Sequence, residues 1–323
     1  MTRIERCRRP PHRGAAMLLA LLILTLVTTL AAGMVWQQWR AIQVESAERA
    51  RTQAAWILSG ALDWARLILR EDARNNQGDP RDHLGEPWAV PLAEARLSSF
   101  LAADRDNNSV AENDSLDAFL SGSITDAQSR WNLRRLVDGT GKVVEREKRV
   151  LQRLCDTAGA PGDCADRLAT ALVKAWAPPS AAGVRRDDAS IAPQRLSQLA
   201  WLGIGADTIG RLEPWVVLLP SPDAKVNINT APAEVIAAAV DGMSLGSAQR
   251  LVLRDVRSAP ARSFFPADPQ TSLDGVDVTS RYFVVQGRLR LGERVLEERS
   301  LVERRALDIV VLLRERVNSR DGS

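Results

Sequence analysis

From Ala15 to Trp36 the chain carries 22 consecutive residues without a charge, AAMLLALLILTLVTTLAAGMVW. At about 1.5 Å per residue such a run makes a helix of roughly 33 Å, enough to cross a bilayer core. Arg3, Arg6, Arg8, Arg9 and Arg13 precede it against Glu5, so the positive-inside rule places residues 1–13 in the cytoplasm and the body outside. Trp36 and Trp39 fall where an interfacial aromatic belt sits, and Arg40 is the first charge after the run. Two readings compete. One is a secretory signal peptide cut near Ala31–Gly33; the other is a retained membrane helix. The run is longer than the apolar stretch of ordinary signal peptides, which favours retention.

The sequence beyond the run also favours it. Neither Pro nor Gly appears between Trp36 and Gly60. Trp39, Ile42, Ser46, Ala50, Ala54, Ile57, Ala61, Trp64 and Ile68 recur at steps of three and four, the stripe of an amphipathic helix. Asn75, Asn76, Gly78 and Pro80 end the pattern. Ala15 to Asp72 then reads as one helix of roughly 87 Å, half in lipid and half in water. A plain anchor with a coiled-coil stalk, or the first helix of a type IV pilin-like subunit, would have this form.

Composition bounds the rest. The chain has 323 residues, 45% of them apolar and 26% charged, which is ordinary globular usage. Three cysteines are too few for a disulfide scaffold, and two histidines disfavour histidine-rich metal sites. The net charge of +3 resides in the basic head, so the body offers no bulk attraction for nucleic acid.

The sequence resembles the minor pseudopilins of type II secretion, the general secretion pathway protein K family. A basic head, then Arg13-Gly14-Ala15, then an uncharged helix is similar to the signals cut by prepilin peptidase. The resemblance implies cleavage after Gly14, leaving Ala15 as the first mature residue. Most pilin-like subunits carry Glu at the fifth mature position; here it is Leu19. A carboxylate in the bilayer needs a partner. The resemblance implies that this partner is the N-terminal amine of the subunit ahead. A tip subunit has none ahead, so Leu19 is read as a tip signature. Further resemblance lies in Ile124-Thr125-Asp126-Ala127-Gln128-Ser129-Arg130-Trp131-Asn132-Leu133, in Lys225-Val226-Asn227-Ile228-Asn229-Thr230-Ala231-Pro232-Ala233-Glu234, and in Thr279-Ser280-Arg281-Tyr282-Phe283. Where the family often has an acidic D-W-x-D, this chain has Lys174-Ala175-Trp176-Ala177-Pro178.

The resemblance implies an α+β protein of type IV pilin-like fold, with a large inserted α-helical domain. Its parts are a leader, 1–14; the N-terminal helix, 15–74, with its transmembrane half 15–36; the first part of the pilin-like domain, 75–130; the insertion, 131–265; and a C-terminal β part, 266–323. The implied partners are minor pseudopilins of the I and J types, the major pseudopilin, prepilin peptidase and inner-membrane lipid. The implied role is assembly of a periplasmic pseudopilus and export of folded proteins. Structural calcium is implied in the periplasmic body. The oxygen-rich stretch containing Asp104, Asp106, Asn108 and Asp114 supplies candidate ligands. Ser109 and Ser115 stand where an EF-hand needs Gly and Glu, so a solvated polar loop is the competing reading.

Within the body, short strands are expected near Trp88–Leu92 and Gly122–Asp126. Val144–Trp176 reads as two helices around Gly159-Ala160-Pro161-Gly162, with Leu151, Leu154, Leu168, Leu172 and Trp176 buried. Cys155 and Cys164 flank that turn. Outside the inner membrane a disulfide is expected, with two free thiols the alternative. A Cys pair without His is a poor zinc site. Leu202-Gly203-Ile204-Gly205 and Asp241-Gly242-Met243-Ser244 resemble helix-hairpin-helix turns, the second helix pair beginning at Thr230 as N-cap. A tethered DNA-binding protein is therefore the rival function. Ser244, Asp207 and the lack of a cation in Leu245-Gly246-Ser247 argue against phosphate, and no nucleic acid is expected. Ser280–Leu291, Val295–Glu303 and Asp308–Leu313 read as antiparallel strands turning at Gly292-Glu293. No hydrolase, metalloprotease, P-loop or C-x-x-C motif occurs. His83 reads as a solvated loop residue, and Asp187-Asp188 as a solvated face, so no enzyme is expected.

Overall fold

The computed structural model describes residues 13–76, 78, 80–97, 118–176, 191–253, 274–292 and 294–317. Helix α1 runs from Arg13 to Asn75, 63 residues without a break. Alanine and leucine dominate it, and its only glycines beyond Gly14 are Gly33 and Gly60. Asn76, whose side chain turns back to Asp72, and Pro80 stop it. Two compact units divide the chain, residues 1–57 and residues 58–323.

In the second unit, five antiparallel strands form one sheet: β1 (Leu92–Arg96), β2 (Ala118–Asp126), β7 (Tyr282–Leu291), β8 (Arg294–Arg305) and β9 (Asp308–Val317), in the order β1-β2-β7-β8-β9. Alternation fixes the register, as the period of two demands. Ile124, Phe283, Val285, Val302 and Ile309 share one face and pack on Leu62, Ala65 and Leu69 of α1. Gly287 sits beneath this helix; a Cβ there would come within 3.2 Å of Leu58. At the β8–β9 turn, Arg66 and Arg70 of α1 donate to the carbonyls of Ile309 and Leu307.

Between β2 and β7 the chain leaves the sheet. Helices α2 (Glu145–Thr157) and α3 (Cys164–Trp176) form a hairpin. A 3-10 turn at Leu196–Leu202 and helix α4 (Ala206–Leu212) form one helix-turn-helix; α5 (Ala233–Ala239) and α6 (Leu245–Val252) form another. Leu133, Leu151, Leu154, Leu168, Leu172 and Ile236 lie in its core, fully removed from solvent. Two parallel two-residue pairings staple it: β3 (Trp131–Asn132) with β4 (Val216–Val217), and β5 (Val226–Asn227) with β6 (Val276–Asp277). Cys155 and Cys164 are joined, with Cα atoms 6.3 Å apart, across the α2–α3 turn.

Several expectations are corrected. The buried stripe of α1 in this unit is Leu58, Leu62, Ala65, Leu69 and Asp72, whereas Trp64 is 43% exposed. Apolar residues such as Ala61, Trp64 and Ile68 lie beside the covered stripe, so periodicity gives the spacing but not the phase. Pro87–Ala89 is a 3-10 turn, not a strand, and β1 begins only at Leu92. Pro87 sets its φ and lacks a donor, and Trp88 turns inward against Phe283, ring centroids 5.2 Å apart. The insertion extends past residue 265, because β6 pairs with β5 and the sheet resumes at Tyr282. Trp176 is only half-buried, its ring stacked by Arg134 at 4.6 Å.

Candidate functional site: an apolar helix and a buried polar joint

The first feature is α1 itself. Its most apolar window has a mean hydropathy of 2.5 and none of it is buried, so it fits a membrane anchor by length and composition. Gly14 and Ala15 lie within the helical backbone. Leu19 is exposed among Met17, Leu18, Leu22 and Ile23, all apolar and exposed. The helix runs unbroken through Ala31–Gly33.

The second feature is a polar joint where the insertion leaves the sheet. Asp126 ends β2 and is buried. Its Oδ1 accepts from the Gln128 amide at 2.7 Å. Its Oδ2 accepts from Ser280 Oγ at 2.5 Å, Thr230 Oγ1 at 2.6 Å and Asn227 Nδ2 at 3.0 Å. Gln128 donates to the carbonyl of Lys225 at 2.7 Å, and its Oε1 accepts from the Arg281 amide at 2.6 Å. Asn132 is buried too; it donates to the Ser221 carbonyl and accepts from the Leu219 amide. The three segments singled out in the sequence thus converge here. Asp126 and Gln128 come from the first, Lys225, Asn227 and Thr230 from the second, and Ser280 and Arg281 from the third. Thr230 is spent on Asp126, so it does not cap α5; Pro232 precedes that helix without a side-chain cap.

The joint continues to α1 through residues that sequence reasoning missed. Arg304 of β8 donates from Nη1 to Asp72 Oδ2 at 2.8 Å, and from Nη2 to both oxygens of Asp82 at 2.5 and 2.6 Å and to the Ser280 carbonyl at 2.8 Å. Its guanidinium lies 5.0 Å from the Phe283 ring centroid. The Ser280 amide donates to Asp82 Oδ2 at 2.6 Å. Asn76 donates to Asp72 at 3.2 Å and to Glu86 at 2.8 Å; Glu86 also accepts from Trp88 Nε1 at 2.7 Å and the His83 amide at 2.9 Å. His83 is therefore half-buried rather than a solvated loop histidine, and its Nδ1 accepts from the Gly85 amide. One sequence signal could have found Arg304. It alternates with Val302 and Ser300 on the inward face of β8, where a charge needs a buried partner.

Burial pushes the Asp126 carboxyl up to about 6, against the pull of the Ser280 and Thr230 hydroxyls and the Gln128 amide. Asp72 is likewise pushed up to about 6, first by burial and then by the neighbouring Glu86, with Arg304 opposing. Burial also raises Asp82. Asp72 and Asp82 share Arg304, and a buried charge without a full partner favours its neutral form.

Calcium was tested against this site. The carboxylate oxygens of Asp72, Asp82 and Glu86 come within 4.8 Å of one another. They do not fit a calcium ion: Arg304 already stands between Asp72 and Asp82, and every one of these oxygens accepts from an N–H group. Asp104, Asp106, Asn108 and Asp114 lie outside the described residues, as do Asp187 and Asp188.

The hairpin turns show how they are used. Gly203 and Gly242 adopt φ of 79°, which glycine tolerates best, whereas Gly205 and Ser244 have φ of −63° and −78°. Ser therefore serves at the second glycine position, where it caps α6 through the Ser247 amide. Gly203, Gly205, Gly242 and Ser244 are exposed, but the arginines beside the turns are engaged with protein groups. Arg167 donates to the Gly203 carbonyl, Arg153 to the Ala238 carbonyl and to Asp241, and Arg146 to the Ala239 carbonyl. The Gly203, Ile204 and Met243 amides are taken up inside their own turns. Asp207 holds Arg211 at 2.9 Å. This pattern packs the hairpins on α2 and α3 and presents no set of cations to phosphate.

Comparison with known proteins agrees with this reading of the sheet, insertion and helix. Two models of type II secretion system (T2SS), protein K, match residues 129–221 and 226–283; these ranges contain the joint residues Asn227, Thr230 and Ser280. The chain is similar to the type II secretion system protein K of Pectobacterium carotovorum, 28% identical over 95% of this chain and 97% of that protein. It is similar to that of Pseudomonas aeruginosa at 28% identity over 88% and 87%. Among solved structures it shares the fold of a chain in the GspK–GspI–GspJ complex of enterotoxigenic Escherichia coli, with a TM-score of 0.63, 19% identity, and coverage of 84% of this chain and 99% of that one. Family matches on both halves of the insertion, relatives aligned over nearly the whole length and a shared fold point the same way: this chain is similar to the type II secretion system protein K family.

Proposed function

We propose that this protein is a minor pseudopilin of type II secretion, held in the inner membrane by α1 with residues 1–13 in the cytoplasm and its body in the periplasm. It occupies the tip of the pseudopilus. The observation that carries this reading is the insertion itself: a domain of more than a hundred residues leaves a pilin-like sheet between Asp126 and Ser280. A subunit stacked beyond it would meet that bulk, whereas a tip subunit meets nothing. Leu19 supports the same position, since a subunit with nothing ahead has no amine to pair with a carboxylate. The Escherichia coli complex pairs its K protein with GspI and GspJ, and partners of the I and J types are proposed here too. The major pseudopilin, prepilin peptidase and lipid complete the partner set. The role is structural, in assembly and in export of folded proteins, and no catalysis is assigned to it.

Intact mass and N-terminal sequencing, with and without a co-expressed prepilin peptidase, test the class. A mature chain starting at Ala15, formed only with the peptidase, is expected. Cleavage near Ala31–Gly33, or none, would overturn the reading.

A further inference from the structure

We propose that the polar joint is pH-responsive: acidification delivers protons to Asp126 and Asp72, and these protons tighten the attachment of the inserted domain to the helix and sheet. The proposal rests on geometry and charge count, and it does not depend on the tip assignment. The joint is one continuous line of buried and half-buried groups, Glu86–Asn76–Asp72–Arg304–Asp82–Ser280–Asp126–Thr230. The charged or titratable groups facing it include Asp72 from α1, Arg81, Asp82, His83 and Glu86 from the 80–89 segment, Asp126 from β2, and Arg304 from β8. Asp277 at the end of β6 is engaged with the Val278 amide, and Glu303 is held by Arg281, Arg305 and Tyr282. The insertion contributes Asn227, Asn229 and Thr230, all uncharged. With every carboxyl ionised, Arg304 bonds two of the four carboxylates along this line, Asp72 and Asp82, and leaves Glu86 and Asp126 to uncharged donors.

The structure offers each proton a place. At Asp126, Oδ2 faces two hydroxyls, and a hydroxyl can accept as well as donate. A protonated Asp126 donates to Thr230 Oγ1, whose own hydrogen turns to the Asn227 carbonyl at 3.4 Å. Ser280 Oγ already accepts from Asn227 Nδ2 at 2.9 Å. At the other end, Asp72 Oδ1 and Glu86 Oε1 converge on one donor, Asn76 Nδ2, so a proton on Asp72 removes the repulsion between two like charges. Burial holds Asp72 and Asp126 near 6 in the folded chain, against an ordinary value of 3.8. The folded state therefore binds protons more tightly than the unfolded chain. Stability from these groups rises as pH falls through about 6 toward 4, and is lost as pH rises. Each proton changes the opening equilibrium by up to about tenfold per pH unit in that window.

Carboxyls elsewhere act in the opposite sense: Asp241 and Glu303 are held below the ordinary range by arginines and other donors. A global melt would mix the two effects, so the readout must be local. Amide hydrogen exchange of the full-length protein in detergent micelles, corrected for intrinsic rates, is followed at Gln128 and Ser280, whose N–H groups donate to Asp126 and Asp82. Their protection is expected to rise at least about tenfold from pH 8 to pH 5. Asp126→Asn together with Asp72→Asn should remove most of that slope. Protection that stays flat in the wild type, or an equal slope in the double variant, would overturn the proposal. If the double variant fails to fold, the wild-type series alone decides it.

Discussion

Replacing Arg304 by methionine removes the cation that Asp72 and Asp82 share while keeping much of the side-chain bulk over Phe283. Asp72 and Asp82 then stay buried, 7% and 1% exposed, and lose their three donor contacts from Nη1 and Nη2, and the Ser280 carbonyl link goes too. Breaking one side of a buried ion pair costs about 3–5 kcal/mol. That figure applies at pH 7.5, where both carboxyls are charged. At pH 5 the loss should be smaller, because Asp72 and Asp82 are already raised by burial and take up protons more readily without Arg304. Adding Asp72→Asn and Asp82→Asn to Arg304→Met should recover part of the loss, since no unpaired charge remains. Urea denaturation of the full-length protein in detergent, followed by tryptophan fluorescence, reads all of these; Trp88 lies in the same core and bonds Glu86. A loss below about 1 kcal/mol at pH 7.5, or an equal loss at both pH values, would refute the argument that Arg304 balances buried charge.

Three further outcomes follow from the packing and the sequence. Gly122→Ala should destabilise by about 1–3 kcal/mol, because a Cβ there would stand 2.7 Å from the Gln286 carbonyl on the neighbouring strand; chemical denaturation measures it, and a neutral effect would mean that β2 and β7 can separate freely. Cys155→Ser with Cys164→Ser should cost about 2–3 kcal/mol for a short closed loop, and a reductant should abolish the difference between wild type and variant. Leu19→Glu should lower the yield of assembled complex, because a carboxylate without a partner enters the bilayer; a higher yield would argue for a position below the tip.

The sequence showed some parts of this molecule more clearly than others, for physical reasons. Helix α1, the α2–α3 hairpin and the β7–β8–β9 strands depend on local periodicity and turn residues, and their limits fall close to the expected ones. The phase of α1 was misjudged because Trp39, Ile42 and Trp64 are as apolar as Leu58 and Leu62, and only the sheet decides which side is covered. Thr230 looked like an N-cap because Pro232 and Glu234 follow it; its true partner, Asp126, lies 104 residues away. The joint was half visible. Its three segments stood out as resembling a family, yet nothing in any one of them says that Asp126, Asn227 and Ser280 meet. Arg304 and Asp82, 222 residues apart, left only the faint mark of a charge on an inward strand position.

Co-purification tests the central claim most directly. The full-length protein is co-expressed with prepilin peptidase and with the I- and J-type minor pseudopilins of the same organism, then extracted in mild detergent. A stable complex containing one copy of each, with this chain starting at Ala15, is the predicted result. A correctly processed chain that never associates with either partner would contradict the account.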